Sequence, residues 1–365
     1  MESVEFLAPE PGETPESDRL AGIPHPREML SLLGQDAAEA AFLSAYRAGK
    51  LHHAFLLVGP EGIGKATFAY RAARFLFDEA SREKDALFAP PPPESLFVPA
   101  EARMTALVAR ESHPDLAVLK RRYDSKSKRF RAEISVEETR EALQLFTKTA
   151  AFDGWRVVIV DAADDLNTAS ANALLKTLEE PPEKAIFFLV SHQPGRLLPT
   201  IRSRCQMLEF EPLSPQVIAT LLAGFGRKVP EISALELEAE GSIRRALRRS
   251  EGGPAQIAAA IARAFSGLPN PNAKAVDAVA DAVRAGSEGI EALADLMDET
   301  ERFLHREMRA RMQAGSPVAL LSDFAETWAR LTDEARRVDA LNLDRRAFAT
   351  RLFDEIGTLV SQGAR

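Results

Sequence analysis

The sequence has a single cysteine, Cys205, among its 365 residues. One thiol can form neither an intramolecular disulfide nor a zinc site built from several cysteines, and it fits a reducing compartment. The sequence also lacks a basic excess, since 46 Lys and Arg stand against 54 Asp and Glu and give a formal net charge of −8. Proteins that coat nucleic acid usually carry positive charge, so any contact with DNA needs a local patch or a partner.

Long apolar segments are missing as well. No apolar run approaches about 18 residues, and residues 1–20 lack the basic start and apolar stretch of an export signal. We therefore expect a cytoplasmic location and no membrane contact. The composition, 45% hydrophobic and 27% charged, is typical of a folded chain, and the length is sufficient for two or three domains.

The distribution of apolar residues divides the chain into four segments. Residues 1–24 are acidic and rich in Glu and Pro, and we expect a loose tail there. Residues 25–211 alternate short apolar runs with helical patterns, which favours an α/β fold with a parallel sheet covered by helices on both faces. Residues 212–251 predict a small helical domain, and residues 252–365 predict a larger all-helical one. The expected strands are Phe55–Val58, Leu116–Leu119, Val157–Val160, Ile186–Val190 and Met207–Phe210.

A glycine-rich loop, Gly59-Pro-Glu-Gly-Ile-Gly-Lys65, joins the first expected strand to a helical pattern. Strand, glycine-rich loop and helix in this order are what a phosphate-binding loop (P-loop) requires. Gly59, Gly62 and Gly64 let backbone N–H groups turn toward phosphate oxygens, and Lys65 can reach the outer phosphates. The loop therefore predicts a nucleotide site, with ATP as the candidate ligand.

This nucleotide site departs from the usual pattern at two positions. The residue after the lysine is normally Ser or Thr, whose hydroxyl ligates magnesium, but here it is Ala66. Thr67 lies one place later, a rotation of about 100° on a helix, so it cannot simply replace that hydroxyl. Asp161 ends an expected strand and either holds magnesium or only caps the strand; Ala162 follows it, where motor ATPases have a water-activating Glu. We expect a poorly held metal and no intrinsic hydrolysis.

Two arginine-containing segments allow alternative interpretations. Arg204 could stabilise charge on a phosphoryl group, including one bound by a neighbouring subunit, or form an ordinary surface salt bridge. The basic cluster Lys120–Arg131 could follow a DNA backbone, or it could be a charged hairpin beside a helix capped by Ser135. The candidate DNA contacts in it are Arg121, Arg122, Lys126, Lys128 and Arg129.

Together these motifs resemble the delta-prime subunits of the bacterial DNA polymerase III clamp loader, which are AAA+ proteins. The resemblance extends from about Pro26 to the C-terminus and is most specific at Asn172–Pro181 and at the triplet Ser203-Arg204-Cys205. It also includes Gly34-Gln35 ahead of Leu51–Ala54, the phosphate loop, and Asn342–Arg345.

The resemblance implies a AAA+ module of the P-loop type at residues 25–211, a three-helix lid at 212–251 and a helical collar at 252–365 that joins a five-subunit ring. It implies no ATPase activity in the chain itself, but membership of the DNA polymerase III holoenzyme, a nucleotidyltransferase. The implied partners are the gamma/tau and delta subunits, the sliding clamp, and primed DNA through the complex.

The resemblance also assigns roles to single residues. Arg204 would complete the ATP site of the adjacent motor subunit, Arg244 would occupy the nucleotide-sensing position of the lid, and Ser191 would be the first sensor. Gly34 and Gln35 fall on the candidate adenine side.

The sequence departs from the family pattern in two ways, one of which concerns a zinc site and the other the choice between alternative functions. Many relatives insert a four-cysteine zinc module where this chain has Pro90–Pro93 and no cysteine, so no zinc is expected. The altered loop and acid motif favour delta prime over a gamma/tau-like ATPase motor. That motor remains one alternative, and a non-catalytic nucleic-acid adaptor using Lys120–Arg131 is the other.

Overall fold

The computed structural model describes residues 4–7, 16–20, 22–85, 91–126, 129–147, 149–151, 154–250, 252–284, 286–315, 318–341 and 343–362. Pro90, Lys128 and Asn342, named above, lie outside these ranges. The chain divides into two compact units, Met1–Leu247 and Arg248–Arg365. None of the described helices is long and apolar enough to span a bilayer.

A five-stranded parallel sheet forms the centre of the first unit. The described strands are β1 (Ala54–Val58), β2 (Leu116–Leu119), β3 (Tyr123–Asp124), β4 (Arg129–Phe130), β5 (Arg156–Asp161), β6 (Ala185–Ser191) and β7 (Gln206–Glu209). The sheet order is β2-β5-β6-β1-β7, and every pairing is parallel, whereas β3 and β4 form a separate antiparallel hairpin. The five expected strands are confirmed, the last one shifted by one residue toward the N-terminus.

Helices cover the sheet on both faces. The described helices of this unit are α1 (Asp36–Arg47), α2 (Lys65–Asp85), α3 (Arg103–Ala109), α4 (Val136–Leu143), α5 (Thr168–Glu179), α6 (Pro199–Arg202), α7 (Pro215–Gly224) and α8 (Ile232–Ala239), and α9 (Ile243–Ser250) begins in it. Because successive strand residues point to opposite faces, each strand contributes to two apolar clusters. Phe42 of α1 packs on Phe55 and Phe68 with ring centroids 5.4 and 5.6 Å apart, and Leu174 lies in the cluster on the other face.

Strand register brings the candidate site residues to one edge of the sheet. Val58, the last residue before the phosphate loop, is paired with Ser191, and Asp161 is paired with Val190. The carboxyl ends of β1, β5 and β6 therefore meet at the same edge, which is where ligands bind in open α/β sheets.

The N-terminal segment differs from the expected loose tail where it is described. Phe6 forms an antiparallel bridge with Met29. Glu16 accepts hydrogen bonds from Arg27 and from Lys120, the latter at 2.5 Å. Burial raises the pKa of Glu16, but these partners outweigh it and lower the pKa to about 2. Glu16, one of the acidic residues that predicted a tail, instead pairs with basic groups of the folded module.

The second unit is helical. Its described helices are α10 (Gly252–Ser266), α11 (Ala273–Ala282), α12 (Gly286–Gln313), α13 (Val318–Ala340) and α14 (Arg345–Gln362). Their apolar stripes meet in one core that contains Leu296, Leu304, Phe324, Phe348 and Leu352. The prediction of an all-helical segment with an internal core is confirmed.

Candidate functional site

The phosphate loop connects β1 to α2, which begins at Lys65. Gly62 has φ +74°, and a Cβ there would lie 2.5 Å from Ser242 Oγ. Gly59 has φ +144°, and a Cβ there would lie 2.6 Å from the carbonyl oxygen of Phe210. Gly64 also has positive φ, at +102°. The loop thus needs glycine both for its backbone conformation and for the close approach of neighbouring chain.

A cavity of about 220 Å³ lies beside this loop and brings several predicted residues together. Its lining includes Gly62, Gly64, Lys65, Thr67, Asp161 and Arg244 from the predicted set, and Asp18, Ala66 and His192 beside them. Gly34, Gln35, Gly59, Ser191 and Arg204 are not among its lining residues. The loop, the end of β5 and the start of α9 therefore share one cavity, whereas Arg204 lies elsewhere.

Lys65 is turned back onto its own loop. Its side-chain ammonium donates to the carbonyl oxygen of Gly59 at 2.6 Å and to that of Pro60. The residue is 3% exposed. Burial lowers the pKa of Lys65 to about 8, against the opposing charges of Glu61, Asp161 and Asp164.

Asp161 is placed at the carboxyl end of β5, as predicted. Burial, together with the negative charge of Asp18, raises the pKa of Asp161 to about 7, although Lys65 and Lys120 oppose the shift. Ala162 follows in the chain and carries no acid or base. The carboxyl group therefore gains a proton more readily than an ordinary aspartate.

Asp164 is a site residue that the sequence reasoning missed. Its carboxylate accepts hydrogen bonds from Ser191 Oγ at 2.9 Å, from the His192 backbone N–H at 2.6 Å and from the Gln193 backbone N–H at 3.3 Å. The hydroxyl of Ser191, the predicted sensor, is thus bonded to the segment that follows β5. The available signal was an acid three residues after Asp161, beyond two alanines.

His192 is a second missed residue. It follows Ser191 and lines the cavity, and its buried Nδ1 has no hydrogen-bond partner in the part of the chain that the structure describes. Burial, with the positive charge of Lys65, lowers the pKa of His192 to about 4. The imidazole is therefore neutral at physiological pH.

Gln35 joins the phosphate loop to the end of the sheet. Its amide donates to the carbonyl oxygens of Ile63 at 3.0 Å and Glu211 at 2.8 Å, and it accepts from the Glu211 N–H at 3.2 Å. The residue is 4% exposed, so these contacts occupy a buried amide. Gly34 lies against Leu213. The adenine-side role of Gly34 and Gln35 stays a prediction.

The segment at the start of α9 is attached to the phosphate loop. Arg244 pairs with Glu61 at 3.1 Å. The Ile243 N–H donates to the carbonyl oxygen of Gly62 at 2.9 Å, and Ser242 Oγ donates to that of Glu61 at 2.8 Å. Arg244 therefore lies at the cavity wall with its guanidinium already paired.

Arg204 lies between α6 and β7 with 34% of its side chain exposed. Its guanidinium pairs with Glu179, the last residue of α5, at 2.6 Å and donates to the carbonyl oxygen of Thr200 at 3.0 Å. Burial raises the pKa of the adjacent Cys205 to about 12, so this thiol is not a nucleophile near neutral pH.

The basic cluster is matched by acidic side chains. Lys120 bonds Glu16 and Glu111, Arg121 pairs with Asp165, Arg122 with Glu138 and Glu141, and Arg131 with Glu138. Lys126 is exposed, and for Arg129 the structure describes the β4 backbone alone. The described contacts favour the interpretation as a charged hairpin.

Among the described residues, one group of side chains has the spacing of metal ligands: Glu16, Asp18 and His25, whose candidate ligand atoms all lie within 4.8 Å of one another. His25 Nε2 lies 2.9 Å from Asp18, and Arg27 and Lys120 bind Glu16. The carboxylates are thus balanced by cations of the chain itself, as in a structural ion-pair network.

The parallel sheet order, the glycine-rich loop after β1, the acid at the end of β5 and the helical segment after β7 define a P-loop module of the AAA+ class. Residues 34–214 match the family described as "DNA polymerase III, delta subunit". The resemblance of the chain to the delta-prime subunits is thereby confirmed.

Curated relatives agree with this assignment. The chain is 37% identical over 153 residues to DNA polymerase III subunit delta' of Pseudomonas aeruginosa, which covers 42% of this chain and 41% of that protein. It is 32% identical over 181 residues to subunit delta' of Escherichia coli, covering 50% and 49%. It is also 28% identical over 334 residues to subunit tau of Escherichia coli, covering 86% and 48%. The chain thus spans less than half the length of each of these relatives.

Proposed function

We propose that this protein is a delta-prime-type subunit of a DNA polymerase III clamp loader that does not hydrolyse ATP itself. It acts in the cytoplasm with gamma/tau and delta subunits, in a ring that opens the sliding clamp and places it on primed DNA. Its second unit serves as the collar that joins the ring. The family match and the delta' relatives support membership of this assembly.

The observation that carries the proposal is that alanine occupies two cavity positions at which an ATPase has a catalytic group. Ala66 lines it where a magnesium-ligating hydroxyl is needed, and Ala162 lines it where an acid would activate water. Both missing groups, the hydroxyl at Ala66 and the acid at Ala162, belong to the same site. Such a site is suited to a structural role within the ring rather than to turnover.

A nucleoside fits this cavity better than a magnesium triphosphate does. Leu32, Ile63 and Leu247 contribute an apolar wall that suits a base. The phosphate end is less suitable, because Lys65 is bonded to backbone carbonyls and Asp161 carries a raised pKa. We propose that any bound ATP persists without turnover. Zinc has no part in the proposal, since residues 85–112 contain no Cys or His.

Arg204 is the residue through which the chain would act on chemistry elsewhere. It lies outside its own cavity and is partly exposed. A guanidinium offers a planar fork of donors that stabilises charge on a transferring phosphoryl group, including one bound by another chain. We therefore assign Arg204 as the arginine finger for a neighbouring motor subunit.

Steady-state ATP turnover by the purified protein tests the first half of the proposal. The expected rate is no higher than that of a Lys65→Ala variant, with and without clamp and primed DNA. The relevant positive control is the cognate gamma/tau subunit assayed in parallel. A clear rate that depends on Lys65 would favour the second candidate function.

That second candidate is an autonomous gamma/tau-like ATPase motor. The observation in its favour is the match to Escherichia coli subunit tau, which covers 86% of this chain. Ala66 and Ala162 weigh against it, because a motor needs both missing groups. The DNA adaptor is weaker, because acids already pair with the described arginines of its basic cluster.

A further inference from the structure

Glu179 and Arg204 are 25 residues apart in sequence and are joined by an ion pair at 2.6 Å. Glu179 ends α5, and Arg204 follows α6. The Arg204 guanidinium is held on a second side by the carbonyl oxygen of Thr200 at 3.0 Å and by Ser203 Oγ at 3.4 Å. Its backbone N–H donates to Ile201 at 3.0 Å. A long, flexible side chain is thus fixed in one orientation by groups of its own chain.

The position of Glu179 is not explained by the stability of its helix. The carboxyl end of a helix carries partial negative charge, so a carboxylate there is unfavourable, and a cation such as Lys176 is the preferred residue. The side chain of Glu179 is 49% exposed, so it also contributes little apolar burial. The partner that accounts for it is Arg204.

We propose that Glu179 is a positioning residue for Arg204, holding its guanidinium in the orientation presented to a phosphoryl group bound by the adjacent subunit. The inference rests on the proposed function. Glu179 touches no phosphate in this scheme and acts through Arg204 alone. Guanidinium N–H groups that are not bonded to Glu179, Thr200 or Ser203 remain for the phosphate, since arginine carries five donors.

The physical basis is preorganisation. A free arginine side chain loses rotamer entropy when it is fixed on a phosphate, and a guanidinium already held by a fork of contacts loses less. Exposed ion pairs are modest in energy, so the expected contribution is about two- to fivefold in rate. That gain applies only to the turnover that depends on Arg204.

The test uses clamp loaders reconstituted with the cognate gamma/tau and delta subunits, assayed for ATPase stimulated by clamp and primed DNA. The variants are Glu179→Ala, Glu179→Gln, Arg204→Ala and the double variant Glu179→Ala/Arg204→Ala. Glu180→Ala is the matched control, because Glu180 is the next exposed acid and forms no ion pair with Arg204 in the described structure. Unfolding midpoints of the isolated variants check that the fold is unchanged.

The expected result is a two- to fivefold loss of the Arg204-dependent part of kcat in Glu179→Ala, with KM for ATP unchanged. Glu179→Gln, which keeps a hydrogen-bond acceptor, falls between wild type and Glu179→Ala. The double variant equals Arg204→Ala, since without the finger nothing is left to position. Glu180→Ala behaves as wild type.

Two results would overturn the inference and leave the proposed function intact: an unchanged or higher rate in Glu179→Ala while Arg204→Ala is impaired, or a double variant that loses rate additively. If Arg204→Ala itself equals wild type, the proposed function fails and the positioning role fails with it. The Arg204→Ala ring therefore separates the two claims.

Discussion

The carboxylate of Asp164 accepts a hydrogen bond from the hydroxyl of Ser191 at 2.9 Å. The same carboxylate accepts from two successive backbone N–H groups, those of His192 and Gln193. One side chain thus ties the end of β6 to the turn that follows β5. The single hydroxyl proton of Ser191, the residue predicted as the first sensor, is thus donated to Asp164.

Replacement of Asp164 should destabilise the module. In Asp164→Ala the three donors lose their acceptor, and we expect a loss of about 2–4 kcal/mol in the free energy of unfolding. Asp164→Asn keeps one carbonyl acceptor and should lose less. Urea unfolding of the three proteins measures the difference. Equal stabilities of wild type and Asp164→Ala would contradict this network.

Removal of the Glu16 charge should loosen the N-terminal segment. Glu16 bonds Arg27 and Lys120 across 11 and 104 residues of sequence. Glu16→Gln should lower the free energy of unfolding by about 1–3 kcal/mol, because Glu16 and its partners Arg27 and Lys120 are largely buried and hydrogen bonds to charged groups are the stronger ones. The exposed Glu101→Gln is the control. Limited proteolysis should cut the variant faster within residues 16–20, and an unchanged cleavage pattern would refute the proposed attachment.

The raised pKa of Asp161 gives a pH dependence with a defined sign. The pKa of Asp161 is about 7 in the folded state, against the usual 3.8. Between pH 3.8 and 7 the folded state therefore holds a proton that the unfolded state has released. The contribution of the protonated Asp161 carboxyl to the free energy of unfolding is complete below about pH 4 and is lost as pH rises through 7. Asp161→Asn has no titrating carboxyl at this position, so its free energy of unfolding should not show this loss.

The stability of Asp161→Asn relative to wild type should therefore rise between pH 4 and 7 and level off above. The total rise should be roughly 4 kcal/mol, since the pKa is raised by about three units, from 3.8 to about 7, and each unit corresponds to about 1.4 kcal/mol. Urea unfolding over this pH range measures it. A constant difference at every pH would show that the Asp161 carboxyl titrates normally.

The sequence predicted the parallel sheet, the phosphate loop and the acid at the end of β5 because each rests on a local pattern. Buried strands are continuous apolar runs, and the loop has a fixed strand, glycine and lysine order. These features need no knowledge of distant contacts. Lys65 and Asp161 both line one cavity.

The features that the sequence did not predict depend on distant residues. Composition marked Glu16 as part of a tail, but its partner Lys120 lies 104 residues away. The buried amide of Gln35 binds backbone 176 residues away, at Glu211. Arg204 meets its partner Glu179 only because α5 packs beside α6 in the folded chain. Side-chain pairs of this kind follow from tertiary packing and leave no periodic signal in the chain.

The measurement that tests the central claim most directly compares reconstituted clamp loaders that carry wild type or Arg204→Ala. The account predicts correct assembly of both, a partial loss of ATPase stimulated by clamp and primed DNA, and a larger loss of clamp loading. Arg204→Lys should restore little, because an ammonium lacks the planar fork. Equal ATPase and loading rates in correctly assembled complexes would contradict the assignment of Arg204 as the finger of a neighbouring site.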